Sequence, residues 1–297
     1  VVISSLSRRT ALRLVAAAAA SAAACVPGQG ALASAPRVVS LELQLTEILV
    51  SLGAPPVAAA DNALYRRLIG RPELPAGVAD LGPIQQPNLE FLQILAPDVI
   101  VAPAWEAGAN RAALARVAPV NVIGDLAPQP ALERLYGTAR RLGALVGREQ
   151  AAEGLIGEAE TAFERAQGTI SPQPTLLCRF FEDGRHLAVF GSKSVMGAVA
   201  ERVGVVNAWP GRQSAFGTTV AAVEDLAGMP DARVVHFDRG AETERAMQRL
   251  QASPLWRALP PVRRAEIIGM PVVHPNGGLA SATRLAEQLS RALDRDG

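Results

Sequence analysis

Apolar residues recur along this chain at two spacings, and the two spacings take turns. Residues 38–41, 57–60, 98–102 and 120–123 are short runs of small or branched apolar side chains, the pattern of buried strands. Between them, 43–52, 87–95, 111–117 and 132–146 set apolar positions three or four apart, as one helix face does. Gly53 and Gly147 stop two of these helices, and Pro87 suits the start of another. Strand, helix, strand over 38–60 predicts a parallel βαβ unit. Residues 65–82, rich in Pro and Gly, read as a loop over the top of the sheet.

The alternation resumes in the second half. Residues 175–181 and 187–190 are predicted strands about the turn Glu182-Asp183-Gly184, and 194–203 is a helix closed by Gly204. A polar, Gly-rich stretch, 207–219, precedes a predicted helix over 220–227. Strands follow at 233–237 and 266–268, and helices at 242–250 and 279–293. Between the halves, 150–168 places Ala152, Leu155, Ile156, Ala159, Ala162, Phe163 and Ala166 on one face, with charges opposite. That is one helix of roughly 25–30 Å at about 1.5 Å per residue. The expected architecture is α/β: two lobes with mainly parallel sheets joined by one long α-helix. The N-terminal lobe covers 37–147, the connecting helix 148–168 and the C-terminal lobe 172–297. A single stiff crossing predicts only a small hinge motion, and a cleft between lobes is a common small-molecule site.

The 297 residues, 49% of them hydrophobic, suffice for two lobes with their own cores. A net charge of +1 supplies no basic surplus for nucleic acid. At the start of the sequence, the pair Arg8-Arg9 precedes an alanine-rich run, 14–24, too short to span a bilayer. Residues 1–33 resemble a twin-arginine export signal, with Ala31-Leu32-Ala33 as its cleavage site. An amphipathic surface helix is the competing reading of that run. Alternatively Cys25 is the lipid-bearing first residue of a lipoprotein. With Cys25 removed, Cys178 stands alone in a strand, a buried core position. The mature protein is expected in the periplasm, soluble or tethered through Cys25.

Candidate chemistry is sparse. His186, His236 and His274 lie far apart and form no ligand-like spacing with Cys or carboxylates, so no protein-ligated metal is expected. His236 reads as a satisfied core histidine and His274 as a residue that can face a cleft. Phe190-Gly191-Ser192-Lys193-Ser194 joins a strand to a helix but lacks the glycine pattern of a phosphate loop; a tight turn capped by serine fits better. Carboxylates such as Glu42 and Glu47 fall on a helix face, where solvated charge is the default. There is no Gly-x-Ser-x-Gly elbow, and no catalytic residue is expected. An exported, two-lobed α/β chain of this kind points to capture and delivery of a ligand.

Blocks spread over the chain resemble a known family. They include Val39-Ser40-Leu41-Glu42, Thr46-Glu47-Ile48-Leu49, Asp80-Leu81-Gly82, Gln86-Pro87-Asn88-Leu89-Glu90 and Pro97-Asp98-Val99-Ile100. Later blocks are Arg185 to Gly191, Asn207-Ala208-Trp209, Phe216-Gly217-Thr218-Thr219 and Ser253-Pro254-Leu255-Trp256. The pattern is similar to that of periplasmic binding proteins for iron–hydroxamate siderophores. The resemblance implies a shallow cleft lined with aromatics, an iron(III)–siderophore ligand that brings its own metal and needs no further cofactor, and a monomer that delivers to an inner-membrane ABC permease. It implies permease docking through Glu90 and Glu224, one acidic residue on each lobe. The cleft candidates it marks, together with the residues' own context, are Tyr65, Arg66, Trp105, Glu106, Ala188, Trp209, Phe216, Thr218, His274 and Asn276. Trp105 is expected in an exposed loop after a strand, Trp209 has core packing as its alternative, and Trp256 is expected in the core. The family's hydroxamate-binding arginine falls on Ile84, its partner tyrosine on Glu106, and several family tryptophans on Leu43, Leu68 and Ala102. Haem, a cobalamin or another chelate is the alternative cargo. An exported enzyme acting on such a chelate, with Glu106 and His274 as acid and base, is the alternative class.

Overall fold

The computed structural model describes residues 35–124 and 129–294, the side chains of 105–109 excepted. Segment 1–33, expected from the sequence to be an export signal, lies with Cys25 outside the described residues. Pro36–Gly297 form one compact unit.

The first lobe is built on a parallel sheet of β1 (Val38–Ser40), β2 (Ala58–Ala59), β3 (Ala79–Asp80), β4 (Val99–Pro103) and β5 (Val120–Ile123), in the order β3-β2-β1-β4-β5. β1 pairs with β2 and β4 in parallel, Val39 opposite Ala58 and Ile100, so the βαβ expectation for 38–60 is met. Its helices are α1 (Leu43–Ser51), α2 (Asn62–Leu68), α3 (Leu89–Leu95), α4 (Ala104–Leu114) and α5 (Ala131–Val146). The connecting helix is α6 (Glu149–Ala166).

The second sheet contains β6 (Thr175–Phe180), β7 (His186–Phe190), β8 (Thr218–Ala222), β9 (Arg233–Asp238) and β10 (Ile267–Pro271), in the order β10-β9-β6-β7-β8. β10, β9 and β6 run parallel, whereas β7 is antiparallel to both β6 and β8. Around it lie α7 (Val195–Arg202), a 3-10 turn (Val223–Gly228), α8 (Ala241–Ala252), α9 (Pro254–Ala258), α10 (Pro260–Arg263) and α11 (Leu279–Ala292).

Strand residues alternate between cores, as a side-chain period of two requires. Val39, Ile100 and Ala102 enter a core on one face of the first sheet, together with Tyr65 and Leu92. Leu176, Cys178 and Val234 enter another on the second sheet, where Trp256 meets Phe180 edge-on at 5.4 Å. Val38, Val101, Leu177 and Val235 all point into a third core, which α1, α5, α6, α7 and α11 fill from both lobes. The lobes therefore do not keep wholly separate cores. The apolar stripe of α6 is buried by both, because Ala152 and Ala159 are small enough for helices to approach closely.

Three local expectations need correction. The helix after β4 begins at Ala104, directly after Pro103, and ends at Leu114. A proline in extended geometry at the cap, followed by an alanine-rich sequence, starts a helix at once despite Gly108. Trp105 is thus in a first helical turn and not in a loop. Likewise 65–82 is not loop throughout: α2 carries Tyr65 to Leu68, and β3 takes Ala79 and Asp80. Finally, Thr218 to Ala222 is an edge strand paired with β7, His186 opposite Ala222 and Phe190 opposite Thr218. β-branched residues beside a ready partner strand override the helical spacing read over 220–227.

Candidate functional site

The lobes face each other across a groove of about 260 Å³. From the first lobe it is lined by Glu42 and Gln44 after β1, by Pro103 and Ala104 after β4, by Ile123 and Gly124 at the end of β5, and by Arg134 and Thr138 of α5. Val195, Phe216 and Asn276 line it from the second lobe. The first-lobe strands thus deliver their carboxyl ends to the groove, where open α/β sheets place ligands.

Phe216 is held out by its loop. It is 62% exposed, and Ser214 clamps the turn: Ser214 Oγ accepts from the N–H groups of Phe216 and Thr218, each at 3.2 Å, and Ser214 N donates to Thr218 O at 3.0 Å. Gly217 has φ of +73°, and a Cβ there would fall 1.8 Å from Ser194 N, so the turn accepts only glycine. Ser194 caps α7 through Gly197 N–H at 3.0 Å, the serine-capped turn expected from the sequence.

Glu42 departs from the solvated default of a helix-face acid. One carboxylate oxygen accepts from Gln44 N at 2.8 Å and Leu45 N at 3.1 Å, capping α1. Burial outweighs those bonds and pushes its pKa up to about 7. Glu47, one turn on, is fully buried and reaches across the lobes. It accepts from Gly278 N at 2.9 Å, Ser281 N at 2.7 Å and Ser281 Oγ at 2.8 Å, so a first-lobe carboxylate caps the second-lobe helix α11. Burial raises its pKa in spite of these bonds. Gln44 Nε2 to Gly277 O at 3.0 Å and Arg284 Nη1 to Arg71 O at 2.9 Å tie the same seam. Helical spacing makes α1 look half-exposed; only the arrival of residues more than two hundred positions away buries it.

The expected cleft residues scatter. Phe216 and Asn276 line the groove. Tyr65 is 1% exposed in the first-lobe core, its hydroxyl donating to Pro72 O at 2.8 Å, so it is a core residue and not a cleft residue. Arg66 is exposed on α2, outside the groove lining. Ala188 is half-buried in β7 and Thr218 half-buried at the start of β8. Trp209 packs against the second-lobe core, its Nε1 donating to Arg212 O at 3.3 Å, which is the packing alternative. The side chains of Trp105 and Glu106 are outside those described, although neighbouring Pro103 and Ala104 line the groove. His274 lies in a small cavity with Val195, Met196, Gly277 and Ser281; its Nδ1 has no partner, and burial lowers its pKa to about 4. His236 is buried against Phe180, but its Nδ1 has no partner either, so it is not the satisfied core histidine expected. Among the described residues, no group of His, Cys, Asp and Glu could hold a metal ion. Ile84, Leu43, Leu68 and Ala102 all lie in cores. Glu90, in the first turn of α3, and Glu224, in the 3-10 turn, are both exposed.

The model of the periplasmic binding protein family matches residues 38–273. The chain is 30% identical over 262 residues to the iron(3+)-hydroxamate-binding protein FhuD of Escherichia coli (strain K12), covering 86% of this chain and 86% of that protein. Among solved structures, FhuD of Vibrio cholerae with bound Fe3+–Desferal matches with a TM-score of 0.77 and 28% identity, over 88% of this chain and 98% of that one. The petrobactin-binding protein YclQ of Bacillus subtilis matches with a TM-score of 0.70 at 18% identity, over 88% and 93%, a likeness of fold alone.

Proposed function

The chain belongs to the periplasmic binding protein family, and on that premise we propose that it captures an iron(III)–siderophore complex of the hydroxamate type and delivers it to an ABC permease. It is a binding protein by family and not an enzyme, so the chelate-modifying alternative is set aside. The observation that carries the reading is the groove between the lobes, lined from both, in a chain whose relatives are named for iron–hydroxamate and Fe3+–Desferal. Iron arrives inside the chelate as cargo. With Ile84 in the core, the groove offers Arg134, Gln44, Thr138 and Asn276 as polar partners for chelate oxygens, Phe216 as an apolar wall and Glu42 as an acceptor.

Titration with a panel of ferric chelates, read by quenching of tryptophan fluorescence, tests this. Ferric trihydroxamates are expected to quench with saturation at one equivalent. Silence toward all of them with a response to haem or a cobalamin would replace the cargo.

Delivery is proposed to use Glu90 and Glu224, exposed carboxylates that speed docking more than they tighten it. Replacing both by arginine is expected to lower transport or permease ATPase stimulation about tenfold while leaving chelate binding unchanged; unchanged transport removes them from the docking face. The family places the protein in the periplasm or outside the cell. A twin-arginine signal over 1–33, removed to leave a soluble monomer, completes the proposal, with a lipid on Cys25 as its alternative; the intact mass of the exported chain separates cleavage after residue 33 from acylation of Cys25.

A further inference from the structure

Away from the groove lining, three guanidinium groups converge on one carboxylate where the lobes meet. Arg67 of α2 donates from Nη1 to Glu242 Oε1 at 2.6 Å. Arg179 of β6 places Nη1 3.6 Å from Glu242 Oε2, and Arg239, just after β9, places Nε 3.4 Å from the same oxygen. One negative charge therefore answers three positive ones within this set. Arg239 Nε is buried and makes no hydrogen bond. The side chains of Arg179 and Arg239 are only 24% and 16% exposed. Burial holds both below arginine's ordinary pKa, with neighbouring guanidiniums acting in the same direction and Glu242 opposing them, yet both remain charged. Asp238, beside Arg239 in sequence, accepts from Gly240 N at 2.8 Å through one of its two oxygens.

Beside the cluster lies a cavity of about 20 Å³. Arg179 and Arg239 line it with Leu68, Val273 and Pro275. The segment that contributes Val273 and Pro275 also delivers Asn276 to the main groove. Planar guanidiniums with free donors are the groups best matched to carboxylate oxygens.

We infer that Arg179 and Arg239 form an oxyanion site that takes a carboxylate, with Glu242 as its internal competitor. A carboxylate bound there takes over donors that now face Glu242. The Arg67–Glu242 bridge between the lobes is then weakened by the same event, which couples occupancy to the seam. The carboxylate is either an arm of the chelate or a separate small oxyanion; only the first source rests on the carrier reading.

Isothermal titration of the intact protein with iron-free citrate, at ionic strength held constant with chloride, tests the site itself. One-to-one binding is expected in the wild type. Arg179→Gln and Arg239→Gln should each weaken it about tenfold or more, and Glu242→Gln should strengthen it several-fold, a gain that a folding defect cannot mimic. Absent binding in the wild type, or binding indifferent to all three substitutions, overturns the inference. A ferric trihydroxamate bearing one free carboxylate is then compared with its methyl ester. Preference for the acid, erased by Arg239→Gln, assigns the oxyanion to the chelate. Equal affinity alongside citrate binding assigns it to a separate small anion. Failure of both chelates to bind while citrate does overturns the hydroxamate reading and leaves the oxyanion site standing.

Discussion

Glu42 and His274 titrate in opposite senses over overlapping windows, so their contributions to stability partly mask each other. Glu42, raised from 4.5 to about 7 by burial, holds its proton more tightly folded than unfolded; its contribution is present below about 4.5 and is lost as pH rises through about 7. His274, lowered from 6.5 to about 4 by burial, is the reverse: its contribution is present above about 6.5 and is lost as pH falls toward 4. Single substitutions separate them. Relative to wild type, Glu42→Gln is expected to gain about 2–3 kcal/mol between pH 4.5 and 8, since a tenfold difference in proton affinity between folded and unfolded chain is worth about 1.4 kcal/mol. His274→Phe should gain a similar amount as pH falls from 7 to 4. Urea unfolding of the unliganded chains across that range measures both, and a flat difference for either variant refutes the corresponding burial argument. Neither residue announces this in the sequence. Glu42 precedes a helix like any capping acid, and what desolvates it arrives from elsewhere in the fold.

The turn between residues 214 and 218 decides where the aromatic wall of the groove stands. Its serine clamp and positive-φ glycine fix Phe216 outward, against the usual tendency of phenylalanine to bury. Gly217→Ala puts a methyl group into the backbone at Ser194 and is expected to cost about 1–3 kcal/mol, the range for strain at such a backbone position. Because the strain is relieved by moving Phe216, chelate affinity should fall about tenfold, whereas Phe216→Ala lowers affinity with little change in unfolding free energy. If Gly217→Ala binds as wild type does, the turn does not position the ring. The family-like block Phe216-Gly217-Thr218-Thr219 makes this stretch legible in the sequence. The edge strand after it stayed hidden, since Thr218 to Ala222 becomes a strand only by pairing with β7.

Across the whole molecule, the lobes are tied by more than the connecting helix. Both contribute to one core, and Glu47 carries the cap of α11 from the opposite lobe. Glu47→Leu leaves two backbone N–H groups and the Ser281 hydroxyl without their acceptor, each costing about 1–3 kcal/mol if it stays buried. A loss of about 3 kcal/mol or more is therefore expected in urea unfolding, with a more open envelope in small-angle scattering. A loss under about 1 kcal/mol would show that the seam does not depend on the carboxylate.

Local periodicity alone determined the class of this protein: alternating strand and helix spacings, with one long helix between two halves, admit few arrangements besides two α/β lobes. Phe216 and Asn276 are legible as well, Phe216 in a family-like block and Asn276 only as a position that the resemblance implies. Tertiary structure decided the rest. Whether Glu42 and Glu47 meet water, whether Tyr65 and Trp209 face a ligand or a core, and which guanidiniums crowd Glu242 all depend on residues far apart in the chain. Desolvation and charge proximity are properties of three-dimensional neighbourhoods, and a residue's spacing along the chain records neither.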